Sequence, residues 1–162
     1  VSAVQKPKFI MKHSLKYAPV LGWFGLRIGC ICVERGKRAQ AIKSMVAEVK
    51  SGKAPAGQLI IYPQGTRIAP GVSAPYKIGT AVLYQETGQI CVPAATNVGV
   101  FWPKYGILRQ PGLAVVEFLP AIQPGFDNEE FMHRREARIE QSSNALLEEA
   151  AADRFYPLGR DT

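Results

Sequence analysis

A chain of 162 residues allows one ordinary domain, since domains run to about 100–200 residues. Its 47% hydrophobic and 20% charged residues are those of a globular protein and exclude a disordered or collagen-like chain. The formal charge of +7 is unevenly placed: residues 1–110 carry fifteen Lys and Arg against three Glu, and residues 111–162 carry five Arg against ten Asp and Glu. A basic front part suits an anionic partner (phosphate, nucleic acid or an acidic membrane face) or is a solvated basic surface, and charge alone leaves both open.

In chain order, Lys8–Met11 reads as a short strand. Leu15 to Leu26 reads as an apolar helix or loop-helix interrupted by Pro19 and Gly22. Gly29–Val33 is a strand that sets Cys30 and Cys32 on one face, because side chains alternate with a period of two. Lys37–Ser51 has Ile42, Met45, Val46 and Val49 at helical spacing, and Gly52 ends the pattern. Gln58–Tyr62 reads as a buried strand stopped by Pro63. Pro70–Pro75 is a loop, Lys77–Thr87 a helix capped by Gly88, and Ile90–Ala94 a further strand. Residues 101–112 are irregular, and Leu113–Leu119 is a strand. Asp127–Ala152 is a long helix, with Phe131, Arg135, Ile139, Leu146 and Ala150 on one stripe and Asp127 and Glu130 as its N-terminal cap. The alternation predicts an α/β domain, a mostly parallel sheet flanked by helices, with ligands beyond the carboxyl ends of the strands.

The chain begins Val1-Ser2-Ala3-Val4-Gln5, neither a Met nor a signal peptide. The expectation is a single domain over residues 1–162 that forms the C-terminal portion of a longer protein. No apolar run reaches the ~18 residues of a membrane-spanning helix, and the longest candidate, Tyr17 to Val33, carries Arg27 in its middle. The odd count of cysteines, Cys30, Cys32 and Cys91, argues for buried free thiols in a reducing setting. His13 and His133 show no metal-ligand spacing, so no metal is expected.

Two loops follow predicted strands with a glycine and an arginine each: Glu34-Arg35-Gly36 and Pro63-Gln64-Gly65-Thr66-Arg67. Gly65 permits a tight turn or a close approach of backbone to ligand. Thr66 supplies a hydroxyl, and Arg67 a planar fork that matches phosphate oxygens. A turn carrying a surface arginine is the plainer alternative. Gly71-Val72-Ser73-Ala74-Pro75 starts like a nucleophile elbow but lacks the last glycine and a leading strand. No P-loop or dinucleotide fingerprint occurs. The aromatics Tyr17, Trp23 and Phe24 cluster with apolar neighbours and make no stacking platform, so no nucleic-acid partner is expected.

YPQGTR at 62–67 resembles the FPEGTR signature of the glycerolipid acyltransferase family, the lysophosphatidic acid acyltransferases. KFIMKHSLKYAPVLGW at 8–23, GCICVERG at 29–36 and CVPAAT at 91–96 are similar to neighbouring family motifs in the same order, so the resemblance runs from about residue 8 to about residue 120. It implies a glycerol-phosphate acyltransferase-like fold and transfer of a fatty acyl group to a lysophospholipid hydroxyl, giving phosphatidic acid from lysophosphatidic acid. The donor would be acyl-CoA or acyl-carrier protein, with no further cofactor. Arg35 and Arg67 match the arginines that would hold the substrate phosphate, and Lys12 matches a lysine that would assist them. Gly65 and Thr66 would shape the loop around the glycerol phosphate, and Pro93 would set the segment near the acyl chain or thioester.

Two departures stand out. Gln64 occupies the place of the family's usual Glu and is read as a tolerated variant. The family's catalytic motif, a histidine and an aspartate separated by four residues, does not occur: five positions after His13 stands Ala18, and after His133 stands Arg138. The resemblance puts that motif upstream of Val1, so no catalytic residue is assigned here and this chain alone is expected to be inactive. A degenerate, non-catalytic anionic-lipid or phosphate-binding module, or an enzyme for another lyso-lipid, is the alternative. The apolar stretch Tyr17–Leu26 is expected to pack in the core, with a membrane-facing role as the second reading, since Trp23 and Trp102 are residues of lipid-headgroup regions. The implied location is the cytoplasmic face of the cell membrane, peripheral or anchored by a segment outside these residues, with the membrane surface as a partner.

Overall fold

A computed structural model describes residues 6–33, 42–43, 46–47, 50–51, 57–102 and 108–155. The chain divides into two compact units, Val1–Pro63 with Lys77–Gly88 and Gln64–Tyr76 with Gln89–Thr162.

The first unit is built on a parallel three-stranded sheet in the order β2-β1-β3. Its centre is β1 (Pro7–Lys12), which opens on a proline where the missing N–H interrupts no ladder. The second half of β1 pairs with β2 (Ile31–Val33), Ile10 opposite Ile31 and Lys12 opposite Val33. The first half pairs with β3 (Gln58–Ile60), Pro7 opposite Gln58 and Phe9 opposite Ile60. Between β1 and β2 the chain makes a 3-10 turn over His13–Tyr17 and a short helix, α1 (Leu21–Arg27). Residues 42, 43, 46, 47 and 50 are helical, in agreement with the predicted helix, whose Met45 and Val49 lie outside the described residues. Helix α2 (Gly79–Thr87) buries Ala81, Leu83 and Tyr84 and ends at Gly88, whose left-handed φ of 60° lets its N–H reach the Tyr84 carbonyl at 2.9 Å. Ile31 and Leu83 are buried together, with Ile10, Val46, Leu59 and Ile61 packed against them. An exposed ion pair, Lys50 to Glu86 at 2.8 Å, joins the intervening helical segment to α2.

The second unit pairs β4 (Ala94–Thr96) antiparallel with β5 (Val116–Phe118), with an isolated bridge between Cys91 and Ile122. A single helical turn, α3 (Val98–Phe101), follows β4, and the long α4 (Asn128–Phe155) packs on β4. Asp127 Oδ1 accepts the Glu130 N–H at 2.8 Å, so the predicted cap forms. The predicted stripe forms too: Phe131, Arg135, Leu146 and Ala150 are buried and Ile139 is half-buried, at spacings of four, four, seven and four along 131, 135, 139, 146 and 150.

Five expectations are corrected. The strand predicted at Gln58–Tyr62 stops at Ile60, opposite Phe9, although β1 continues to Lys12, and Tyr62 is 69% exposed. The strand predicted at Ile90–Ala94 lies instead at Ala94–Thr96. Pro93 has no N–H for a ladder, which restricts the upstream pairing to the single bridge at Cys91. The strand predicted at Leu113–Leu119 shrinks to Val116–Phe118, because the buried Asn97 side chain takes the place of a strand there. It accepts the Val115 N–H at 2.7 Å and donates to the Leu113 carbonyl at 3.3 Å. The apolar stretch Tyr17–Leu26 does not pack in the core. The only buried residues of α1 are Gly22 and Gly25, and the cysteines Cys30, Cys32 and Cys91 are free but only half-buried.

Candidate phosphate-binding site

The site grows out of the way β3 ends. After Ile60 the chain leaves the sheet, and Pro63 bars any return to a ladder. The Lys77 N–H donates to the Pro63 carbonyl at 2.9 Å, closing the base of an excursion from Gln64 to Tyr76. Within it Gly65 sits at φ 68°, a conformation a side chain would strain, so the glycine sets the turn. Gln64 and Gly65 are half-buried, whereas Thr66 and Arg67 are exposed. The turn therefore puts a hydroxyl and a guanidinium side by side in water. Among the described residues Arg67 takes part in no hydrogen bond or ion pair, so its fork stays available for an oxyanion.

The other residues picked from sequence are distributed as follows. Lys12 closes β1 in the first unit, opposite Val33 at the carboxyl end of the parallel sheet, which is the edge where α/β sheets bind ligands. Arg35, two residues beyond Val33 in the chain, lies outside the described residues. Pro93 is buried in the second unit, and its carbonyl accepts the Leu119 N–H at 2.9 Å. Its visible role there is to fasten the approach to β4. The structure thus brings Gly65, Thr66 and Arg67 together on one turn of the second unit, to which Pro93 also belongs. His13 packs edge-on against Tyr17 at 6.0 Å, and His133 is exposed on α4.

Sequence reasoning missed the way the far end of the excursion is held. The Tyr76 hydroxyl donates to Glu140 of α4 at 2.8 Å. Burial, with the Glu140 hydrogen bond next, pushes the Tyr76 hydroxyl far above the usual tyrosine range. Arg135, only 2% exposed, lies against the faces of Tyr76 and Phe131, each with its ring centre 5.2 Å away. Its Nη2 meets the Met132 sulfur at 2.9 Å, while Nε and Nη1 find no hydrogen-bond partner among the described residues. Burial pulls the Arg135 guanidinium below its ordinary range. Burial also raises the Cys91 thiol, against an opposing pull from Arg135, so Cys91 is held as a neutral thiol. The available signal was a charged residue four positions after Phe131 on an otherwise apolar stripe.

A parallel sheet with flanking helices, and a turn carrying a glycine and an exposed arginine after one of its strands, defines an α/β class. The comparisons make the class specific. The family model described as Acyltransferase matches residues 2–97, and the chain belongs to that family. It is 27% identical over 144 residues to a 1-acyl-sn-glycerol-3-phosphate acyltransferase of Pseudomonas aeruginosa, covering 89% of this chain and 54% of that protein. It is 32% identical over 115 residues to the enzyme of the same name from Saccharomyces cerevisiae, covering 68% of this chain and 38% of that one. Its fold matches the crystal structure of the 1-acyl-sn-glycerophosphate (LPA) acyltransferase PlsC from Thermotoga maritima with a TM-score of 0.70. That match has 19% identity over 87% of this chain and 56% of the other. The chain thus spans about half the length of the Pseudomonas and Thermotoga proteins it matches.

Proposed function

We propose that the protein transfers an acyl group from acyl-CoA or acyl-carrier protein to the sn-2 hydroxyl of lysophosphatidic acid, forming phosphatidic acid in phospholipid biosynthesis. The hydroxyl oxygen attacks the thioester carbonyl, the new ester bond forms, and the carbon–sulfur bond breaks to release the thiol. The hydroxyl proton passes to a general base and on to the departing sulfur. No histidine of the 162 residues has an aspartate after a four-residue gap, so in this reading the base belongs to a segment outside them. What these residues supply is the anchor. Arg67 and Thr66 would grip the phosphate on the turn set by Gly65, Arg35 and Lys12 would add charge, and fixing the headgroup would position the hydroxyl. Substrate and product are bilayer lipids, so the site would work at a membrane surface, on its cytoplasmic face.

The observation that carries this reading is the exposed Thr66–Arg67 pair on the Gly65 turn, in a chain whose relatives are named for acylation of 1-acyl-sn-glycerol 3-phosphate. The test is Arg67→Ala in the full-length protein. A charge-assisted phosphate contact contributes about 1.5–3 kcal/mol, so the KM for lysophosphatidate should rise about tenfold to a hundredfold. Unchanged kinetics would remove Arg67 from the site.

A further inference from the structure

Helix α1 is amphipathic in an unusual sense: its small residues face the protein and its large ones face water. Gly22 and Gly25 are its buried positions. A methyl group added at Gly22 would lie 2.1 Å from the Lys16 carbonyl oxygen, and one at Gly25 2.8 Å from the Met11 sulfur, so the helix rests on its glycines at backbone contact. Leu21, Trp23, Phe24 and Leu26 are each more than half exposed, as are Tyr17 and Val20 before them. Single exposed apolar residues need no explanation, but a contiguous aromatic and aliphatic face of this kind marks an interaction surface.

Charge decides what it fits. Residues 1–33 contain Lys6, Lys8, Lys12, Lys16 and Arg27 and no Asp or Glu. Two of these cations border the apolar face directly: Lys16 Nζ lies 4.8 Å from the centre of the Tyr17 ring, and the Arg27 guanidinium 5.2 Å from the Trp23 ring. Exposed Trp and Phe flanked by Lys and Arg, with no carboxylate among them, is the make-up of a helix that lies in an anionic lipid surface. The length agrees. Seven residues rise only about 10 Å against a hydrocarbon thickness of about 30 Å, so α1 can lie in a membrane surface and cannot span one.

We propose that the Tyr17–Ile28 segment is a membrane-docking surface, its aromatic face entering an anionic bilayer with Lys16 and Arg27 at the headgroups. This deepens the proposed function by naming the face that meets the lipid, and it rests on that reading only for its biological purpose. The probe is the full-length protein with Phe24→dansylalanine, added to vesicles of phosphatidylcholine and phosphatidylglycerol. Expected results are a blue shift and quenching by lipids carrying nitroxides on their acyl chains. Trp23→Ser with Phe24→Ser should weaken vesicle partitioning at least about tenfold. The melting temperature and the turnover of a water-soluble short-chain lysophosphatidate should stay unchanged. A probe on vesicle-bound protein that the nitroxides do not quench overturns the proposal. So does a probe already shielded in vesicle-free solution, which would mean that another segment or a second copy covers the face. A quenched probe in a protein without thioester turnover would sink the acyltransferase reading and leave the docking surface standing; turnover with an unquenched probe would do the reverse.

Discussion

Replacing the buried Arg135 by methionine should stabilise the protein. The guanidinium is 2% exposed, and Nε and Nη1 lack partners among the described residues. An unsatisfied buried donor costs about 1–3 kcal/mol, so the two together cost about 2–6 kcal/mol. Against this stand the contacts with the Tyr76 and Phe131 rings, about 0.5–2 kcal/mol each when desolvated, or about 1–4 kcal/mol in all. The difference favours removal of the charge by about 1–2 kcal/mol. Methionine suits the exchange because its unbranched chain fills a similar volume and its sulfur can lie against the same two rings. At about 2–4 °C per kcal/mol for a chain of this size class, thermal unfolding of the Arg135→Met protein should move up by about 2–8 °C. Arg135→Ala is the control, since it removes the same charge but leaves a cavity and should not share the gain. A melting temperature that falls by more than about 2 °C on Arg135→Met would refute the reasoning and show that the rings, or a buried water, satisfy the guanidinium.

Two smaller perturbations probe the same unit. Tyr76→Phe removes the hydroxyl that donates to Glu140 at 2.8 Å; with Glu140 half-buried and open to water, a double-mutant cycle with Glu140→Gln should give a coupling of about 1 kcal/mol, and a value within about 0.3 kcal/mol of zero would make the bond energetically irrelevant. Asp127→Ala deletes the cap on the Glu130 N–H and should cost about 1 kcal/mol, read as faster amide exchange in the first turn of α4; unaltered exchange there would mean that water replaces the cap without loss.

Legibility in the sequence followed the range of the forces involved. The cap of α4, its buried stripe and the glycine stop of α2 depend on residues within one or two turns, and each was readable. Strand limits depend on partners far away in the chain. Nothing local says that β3 leaves β1 after three pairs, or that the Asn97 side chain displaces the start of the predicted strand at Leu113. The outward face of α1 is hidden in the sequence for a different reason. Its sequence, LGWFGLR, is apolar on nearly every side, so hydrophobic periodicity selects no face, and the choice falls to steric size. Only the glycines let the helix approach Met11 and the Lys16 carbonyl, and that approach turns the leucines and aromatics outward. At the candidate site the motif pointed to Gly65, Thr66 and Arg67, and the positive φ of Gly65 supplies the physical reason for the glycine. The tether of Tyr76 to Glu140 spans 64 residues and left no local mark.

In the proposed function, that tether gives α4 a part in positioning the phosphate-binding turn. The family model ends at residue 97, and α4 begins only at Asn128. Yet the excursion carrying Thr66 and Arg67 ends at Tyr76, whose ring lies against Arg135 and whose hydroxyl is held by Glu140, both on α4. An exposed arginine selects a phosphate well only if its backbone is fixed, since ordering a loose loop would use up much of the contact energy. Gly65 sets the turn, and the excursion's far end at Tyr76 is held by α4, which is itself anchored by Phe131, Leu146 and Ala150 in the second unit's core. Loosening α4 should therefore weaken lysophosphatidate binding through the loop, although no residue of α4 needs to touch the lipid.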